Sequence, residues 1–457
     1  MFLDRQHSIA PPGFSRWRVP PAALAIHLAI GQAYAFSVFN LPLSTLVGID
    51  KPAPADWKLS TIGWIFSTAI VFLGLSAFTF GRWLEAAGPR KAMFASAVCF
   101  GGGFMVGALG VQLHQIWIIY LGYGVIGGIG LGLGYISPVS TLIKWFPDRP
   151  GMATGMAIMG FGGGAMIGSP LAVALMAHFR TPASPGVVQT FVAMGAIYFV
   201  FMMFGVFTVR LPAPGWKPTS RKPETGSAEA TRRAGSHRTP PAPDVHVDEA
   251  IKTKQFWLLW AVLCLNVTAG IGVLGQASPM IQEMFPGVIG AAAAAGFVGL
   301  LSLANMLGRF AWSTCSDIIG RRATYMIFFL LGAALYALVP TIGRLGSVAL
   351  FVASYAVILT MYGGGFATIP AYLRDLFGVM HVGAIHGRLL TAWSVAGVAG
   401  PVLVNYIREY QIAHGVAKAN AYSVTMYLMA SLLIVGFIAN AMVKPVDSSH
   451  HWSGAHD

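Results

Sequence analysis

One arginine lies alone in an apolar stretch of the chain, where its residue type favours binding of an anion. Arg309 falls in the apolar run 289–316, eight residues before Asp317. At 1.5 Å per residue it is about 12 Å deeper along a helix than that carboxylate. No acidic residue lies well inside an apolar run, so a ligand anion is the expected partner, and the planar guanidinium suits a bidentate grip on a carboxylate. The alternative is an Arg309 that extends to the aqueous interface.

Polar side chains in other apolar runs are candidates to complete this anion site. They are either donors to a bound carboxylate or interfacial anchors. These candidates are Gln32, Tyr34, Tyr123 and Tyr362. His27 precedes Tyr34 by seven residues and shares its helix face, which makes it a candidate proton carrier, or else a structural histidine bonded to a neighbouring helix. His386 and Arg388 are expected at the cytoplasmic mouth of a helix, as positive-inside charge.

The composition indicates the elements that must position these residues. Of 457 residues, 56% are hydrophobic and 10% charged, against about 25% charged in a soluble domain. Twelve apolar runs are long enough to cross a bilayer. The sequence therefore predicts an all-α polytopic membrane protein with twelve transmembrane helices. The runs are 21–47, 61–81, 92–111, 116–143, 152–178, 187–209, 256–281, 289–316, 323–342, 347–372, 383–407 and 420–443.

The distribution of Lys and Arg predicts the orientation of these helices. With the N-terminus placed inside, 22 of the 29 Lys and Arg residues fall in inside segments and six in outside segments. By the positive-inside rule, both termini are expected in the cytoplasm. The net charge of +13 is then explained by basic loops that face anionic lipid headgroups.

A proline-rich, charged segment divides the chain into two halves of six helices each. We predict an N-terminal six-helix bundle at 1–211, a flexible basic cytoplasmic linker at 212–254 and a C-terminal six-helix bundle at 255–457. The linker contains almost no large apolar side chains, so it cannot offset its ordering entropy by burial. Its last residues, 248–254, are expected to form a short interfacial helix.

The two halves repeat one another at an offset of 232 residues. This offset carries Gly151 to Gly383 and superposes two charged loops, one between helices 2 and 3 and one between helices 8 and 9. In each loop a glycine permits a tight turn and an acid caps or pairs across it. The loop residues are Glu85, Gly88 and Arg90 in the first half and Asp317, Gly320, Arg321 and Arg322 in the second. Paired six-helix repeats are typical of transporters.

These paired loops resemble the hallmark loop of the major facilitator superfamily. Four further segments look like the oxalate/formate antiporter branch, which is related to the monocarboxylate transporters. They are residues 31–39 (GQAYAFSVF), 145–151 (WFPDRPG), 251–260 (IKTKQFWLLW) and 387–397 (GRLLTAWSVAG). The resemblance implies two pseudo-symmetric six-helix bundles, small carboxylate anions as substrates, and loops that latch the cytoplasmic gate.

The resemblance also implies a role for Arg309 and marks two departures. In both related groups an arginine at this place contacts the substrate carboxylate. The proton-coupled monocarboxylate transporters carry an acid one turn earlier, where this chain has Asn305, and the oxalate exchanger carries a second cation where this chain has Trp393. One buried cation balances a monoanion better than a dianion. The substrates expected are therefore formate-, acetate-, lactate- or pyruvate-sized monocarboxylates rather than oxalate.

We predict a secondary transporter that exchanges such anions by alternating access with Arg309 on the carboxylate. A proton-coupled symporter is the first alternative, and a solute sensor that binds without transport is the second. No catalytic constellation, metal cluster or cofactor motif is found, so an enzyme is not expected. We further expect a monomer in a bacterial inner membrane, with no cofactor and no nucleic-acid partner.

Overall fold

The structure, a computed structural model, describes residues 2–49, 51, 53–218, 242–274 and 276–452. Within these residues it contains twelve long helices and no strand, as the apolar runs predict. Eleven of the helical segments are apolar enough to cross a membrane. The other long helix, with 29 residues, carries Arg309.

We number the long helices α1 to α12 in chain order. They are α1 (Pro20–Ile30, continued by Gly31–Phe39), α2 (Leu59–Ala87), α3 (Pro89–Gln112), α4 (Ile116–Ile119, Tyr120–Gly127 and Gly128–Trp145), α5 (Pro150–Phe179), α6 (Val187–Thr208), α7 (Lys254–Leu274), α8 (Ala291–Ile319), α9 (Arg321–Arg344), α10 (Val348–Phe377), α11 (Val382–Leu389 and Thr391–Ala413) and α12 (Ser423–Ala441).

Besides α4, whose segment Tyr120–Gly127 is a π-helix, three helices depart from the uniform spans that the apolar runs suggest. Beyond Gly31, α1 tightens into a 3₁₀ helix, which turns with about three residues rather than 3.6. The predicted run 256–281 is divided, because α7 ends at Leu274 and a separate short helix covers Ala277–Met284. A tight turn at Leu390 divides α11, since Leu390 accepts a bond from the amide of Trp393. The hydropathy of the sequence does not predict such breaks, because the residues on both sides of each break are apolar.

The helices form two bundles, α1–α6 and α7–α12, which meet along two helix pairs. Within the bundles, α3 packs on α6 and α9 on α12; between them, α5 packs along α8 and α2 along α11. The repeated loops have matching backbones, with φ of 87° at Gly88 and 88° at Gly320. Only glycine adopts that region at low cost, so the same residue is required at both turns.

Several loops and both described ends of the linker lie on one face, which we call the linker face. It comprises the α2–α3, α4–α5, α8–α9 and α10–α11 loops with the N-terminal and C-terminal segments. Ala10 bonds Leu211, and Val245 bonds Phe377 and pairs with His451. The positive-inside rule predicts that this face is cytoplasmic.

The described end of the linker next to α7 contacts both bundles. Asp244 Oδ1 accepts the amides of Val379 and Met380 at 2.8 and 2.9 Å. Asp248 forms ion pairs with Arg388 of α11, at 2.6 Å, and with Arg82 of α2. A four-residue helix, Val247–Ala250, stands where the interfacial helix was predicted, and residues 219–241 lie outside the described residues.

An ion pair on the linker face predicts a pH-dependent contribution to stability. Burial raises the pKa of Asp148, but the two bonds from Arg16, the shorter at 2.5 Å, outweigh it and the pKa is lowered. The contribution is therefore complete above about pH 4 and is lost as the pH falls further.

We expect Asp148→Asn to lower the stability of the folded protein by about 0.5–1 kcal/mol at pH 7, since the pair is partly exposed. The thermal midpoint of the purified protein measures this difference. It should shrink below pH 4, and equal midpoints at pH 7 would contradict the role of the pair.

Candidate functional site

A cavity of about 330 Å³ lies between the two bundles. Its walls come from the second halves of α1 and α11 and the first halves of α2 and α8, so it opens toward the face opposite the linker. The part of its lining that the structure describes carries no charged side chain. Polar members include Tyr34, Ser37, Asn40, Ser302, Asn305 and Asn405.

Two tyrosine side chains, one from each bundle, form the floor of this cavity and are joined by a hydrogen bond. The hydroxyls of Tyr34 on α1 and Tyr362 on α10 are 3.0 Å apart. Tyr34 stands edge-on to Phe161 with ring centroids 4.9 Å apart, and Tyr362 packs on Phe366 at 5.3 Å. The two tyrosines that the sequence proposed as carboxylate donors thus lie together, one from each half of the molecule.

Arg309 lies directly below this floor and is fully buried. Its Nε donates to Asn305 Oδ1 at 3.0 Å and its Nη1 to the Ile158 carbonyl of the other bundle at 3.4 Å. Its Nη2 has no hydrogen-bond partner, and no acidic side chain pairs with it, among the residues that the structure describes. Because Asn305 also lines the cavity, Arg309 is one helical turn from the cavity wall.

Aromatic rings enclose the guanidinium from both bundles. Its central carbon is 5.6 Å from the ring centroid of Phe161 and 5.2 Å from that of Phe366, both within cation–π range. Trp393 packs on both rings, at 5.3 and 4.5 Å, and its indole nitrogen has no partner within the described residues. Tyr34 lies 6.2 Å from Trp393, so the ring set is continuous with the cavity floor.

This arrangement suits capture of one carboxylate between the bundles. The guanidinium interacts with the hydroxyls of Tyr34 and Tyr135, and with no acidic side chain among the described residues. A carboxylate bound there would accept charge-assisted bonds in surroundings from which water is excluded. We expect the Tyr34–Tyr362 bond to open when an anion from the cavity reaches the guanidinium.

Two predicted site residues lie away from this arrangement. Gln32 is buried inside the N-terminal bundle near Gly168 and Tyr198, and its amide has no partner among the described residues. Tyr123 packs against Phe36 at 4.5 Å in an aromatic core of the same bundle. Neither lines the cavity, so we leave both out of the proposed site.

His27 is placed where a shared helix face with Tyr34 predicts, close to Arg309. Its Nδ1 bonds the Ala23 carbonyl at 3.2 Å, and it interacts electrostatically with Arg309. His386 lies in the first segment of α11, at the linker face, and is 1% exposed. The charge of the neighbouring Arg388 suggested an exposed position for His386. Packing against the other bundle buries it, and the hydropathy of the sequence carries no information about that contact.

On the linker face, Asp317 closes the interface across the two bundles. Its carboxylate accepts the amides of Gly151 and Met152, each at 2.9 Å, at the start of α5. A helix N-terminus favours an anion, and Arg321 holds the same carboxylate at 2.5 Å. One turn inward, the Thr154 hydroxyl donates to the Ala367 carbonyl at 2.5 Å.

Its counterpart in the first repeat, Glu85, occupies the matching place beside the start of α11. A Cβ added at Gly383 would lie 2.6 Å from its Oε1, while its Oε2 binds Lys144 at 2.6 Å. The other loop residues act locally. Arg90 bonds the Phe2 carbonyl, Arg321 also binds Asp375, and Arg322 bonds the Ala441 carbonyl.

Two aromatic residues around Arg309, Phe161 and Phe366, were missed by the sequence reasoning, whereas Trp393 was among its candidates. Phe161 and Phe366 stand next to glycine triplets, at 162–164 and 363–365, and these glycines let neighbouring helices approach closely. A Cβ at Gly363 would collide with the carbonyl of Asn305. Such a glycine run beside an aromatic in both halves is the signal that would have found them.

The bond between Tyr34 and Tyr362 predicts coupled effects of removing either hydroxyl. We expect Tyr34→Phe and Tyr362→Phe each to weaken the closed floor by about 0.5–1.5 kcal/mol. The double variant should add little to either single one, because both changes delete one bond. A double-mutant cycle on the dissociation constant of a bound monocarboxylate measures this, and fully additive effects would show that the hydroxyls act separately.

Comparison with known proteins shows the superfamily to which this chain belongs. The family model described as Major Facilitator Superfamily matches residues 22–401, and the chain belongs to that superfamily. The fold agrees: the transporter FucP, solved in the outward conformation, superposes with a TM-score of 0.63 at 14% identity, covering 94% of this chain and all of that one. The chain is therefore an integral membrane transporter, not an enzyme.

Similar sequences confirm the predicted branch resemblance. The oxalate:formate antiporter of Oxalobacter formigenes is 25% identical over 383 residues, which cover 83% of this chain and 81% of that protein. Monocarboxylate transporter 11 of Homo sapiens is 24% identical over 432 residues, which cover 93% and 82%.

Proposed function

We propose that this protein transports small monocarboxylates by alternating access, with Arg309 holding the carboxylate between the bundles. One observation carries the proposal: a fully buried guanidinium below a central cavity, with no carboxylate partner among the described residues. An unpaired charge at that depth costs at least about 2.5–3.5 kcal/mol on insertion scales. A ligand that neutralises it regains part of that free energy.

The charge around the site supports a monoanion as the ligand. Arg309 is the charged group next to the aromatic enclosure, and the position where the oxalate exchanger has a second cation holds Trp393. A dianion would bring one uncompensated negative charge among apolar rings. Ligands the size of formate, acetate, lactate or pyruvate fit this balance better than oxalate.

Exchange is the mode of transport that this site favours. An empty Arg309 opposes movement of the bundles past the apolar barrier, whereas an anion-bound Arg309 is neutral. Asn305, which bonds Arg309, cannot take up a proton. A proton-coupled symporter would use His27, which does not line the cavity, or a proton carried by the substrate. We therefore rank symport second, and a non-transporting sensor third.

A ligand panel followed by flux measurement tests the proposal. Formate, acetate, lactate, pyruvate and oxalate are added to the purified protein, and the thermal midpoint is recorded, since a ligand of the native state raises it. We expect monocarboxylates to stabilise more than oxalate. Proteoliposomes loaded with the best ligand should then show counterflow of the labelled ligand that a protonophore leaves unchanged.

Three results would count against this function. Stabilisation by oxalate alone would overturn the monoanion, and flux that needs a pH gradient would favour symport. Saturable binding without flux would favour the sensor. For the cellular setting we propose a bacterial cell membrane, a location supported by the similarity to a bacterial antiporter.

A further inference from the structure

Two buried histidines form a cluster that the proposed transport cycle does not use. His27 of α1 and His386 of α11 both pack against Tyr135 of α4, with ring centroids 5.4 and 5.8 Å from that of the tyrosine. All three side chains are 0–1% exposed. Neither ring nitrogen of His386 has a hydrogen-bond partner among the described residues. His27 also interacts with the backbone of Tyr135, and the Tyr135 hydroxyl interacts with Arg309.

This cluster lies on the linker side of Arg309. His27 is two helical turns closer to the linker face than Tyr34, and His386 is seven residues closer than Trp393. Neither histidine lines the cavity. A proton from the cavity would have to pass the cation of Arg309, so the geometry favours exchange of protons with the linker side only.

His386 is buried by the contact that seals the linker face. The first segment of α11 packs against α2 and α4. A Cβ at Gly387 would overlap the backbone of Ala77 on α2, and the neighbouring His386 ring lies on Tyr135 of the other bundle. Separation of the bundles on this face therefore brings His386 into water before any deeper residue.

The charges around the cluster oppose a proton while the face is closed. Arg309 of α8 interacts with His27, and His27 interacts with His386. Glu85 at the end of α2 is bound to Lys144. Arg388 on α11 itself is bound to Asp248 of the linker. Among the described residues, no charged group of α5, α6, α7 or α10 interacts with either ring. An imidazolium here would be a second buried cation beside Arg309.

We propose that protons on the linker side open the transporter toward that side by binding His386, and then His27, once the bundles separate. Because the open form binds protons that the closed form excludes, acid shifts the balance toward the open form. This inference goes beyond the proposed function and does not depend on the identity of the substrate.

The size of the shift follows from the ordinary pKa of a solvated histidine, about 6.5. Between pH 7.5 and pH 5.5, one such group favours the open form by about a further factor of ten. The open population should therefore rise about tenfold for His386 alone. His27 contributes less, because Arg309 lies beside it.

Distances between spin labels on the linker face measure this population. Cysteines are placed at Ala86 and Ile318, which are exposed at the ends of α2 and α8, in a chain whose three native cysteines are replaced. The protein is held in nanodiscs without any carboxylate, at pH 7.5 and 5.5. We expect the population with the longer label-to-label distance, which is the open form, to be about tenfold larger at pH 5.5 than at pH 7.5.

The variants His386→Gln and His386→Asn should remove most of that gain, and His27→Gln with His386→Gln all of it. His246→Gln is the matched control, since His246 is a partly exposed histidine of the linker that lies outside the cluster; its acid response should match that of the wild type. An unchanged wild-type distribution between the two pH values would overturn the proposal. So would a double variant that responds like the wild type. A failure here leaves carboxylate binding at pH 7.5 unaffected, so it is distinct from a failure of the proposed function.

Discussion

Arg309→Gln is expected to abolish carboxylate binding and counterflow while the fold persists. The variant keeps a polar side chain that can reach Asn305 but loses the charge and the planar fork. Leaving a buried carboxylate without its cation costs about 3–5 kcal/mol, which corresponds to a loss of more than a hundredfold in affinity. Arg309→Lys should retain a fraction of the binding, because it keeps the charge but not the bidentate geometry.

Counterflow of labelled monocarboxylate in proteoliposomes provides the measurement. Arg344→Gln serves as the control, since Arg344 is an exposed arginine at the end of α9 that bonds only Thr341 in the described structure. We expect the control to transport like the wild type. Near-normal counterflow in Arg309→Gln would remove this residue from the mechanism.

Asp317→Asn is expected to shift the resting protein toward opening on the linker face. The carboxylate holds two backbone amides of α5 and the guanidinium of Arg321, so one side chain joins both bundles. An asparagine oxygen still accepts one amide, but the charge that favours the helix N-terminus is lost. We expect a loss of about 2–3 kcal/mol for the closed interface, a shift of some 30- to 150-fold.

The labelling rate of a cysteine at Thr154 reports this shift. Thr154 is fully buried in the interface when the linker face is closed, so its labelling rate follows the open population. The test uses a membrane-impermeant maleimide on a chain without the native cysteines. Asp447→Asn is the control, an acid of the linker face that caps only Ser449. Equal labelling rates in Asp317→Asn and this control would contradict the latch.

The features that the sequence predicted are those set by strong and local signals. Twelve apolar runs specify twelve helices because each must span a bilayer. The 232-residue repeat identified Asp317 and Glu85 as equivalent residues. In the structure each acid lies beside the first turn of a helix in the other bundle. Arg309 was identified because an unpaired charge is costly in an apolar helix.

The features that the sequence did not predict depend on which helix faces pack against each other. Gln32 and Tyr34 are two residues apart in the 3₁₀ part of α1, so their side chains diverge by about 120° and point to different neighbours. Tyr135 and His386 are in contact because α4 packs against α11. The spacing of residues within one helix does not predict such a contact between two helices. The same holds for Phe366, which reaches Arg309 only through the fold.

The most direct test of the anion site is an experimental structure with lactate or pyruvate bound. We predict that the carboxylate lies below the Tyr34 and Tyr362 rings, with its oxygens about 2.7–2.9 Å from the guanidinium nitrogens of Arg309. Ligand density elsewhere, with Arg309 still bonded only to Asn305 and the Ile158 carbonyl, would contradict the account.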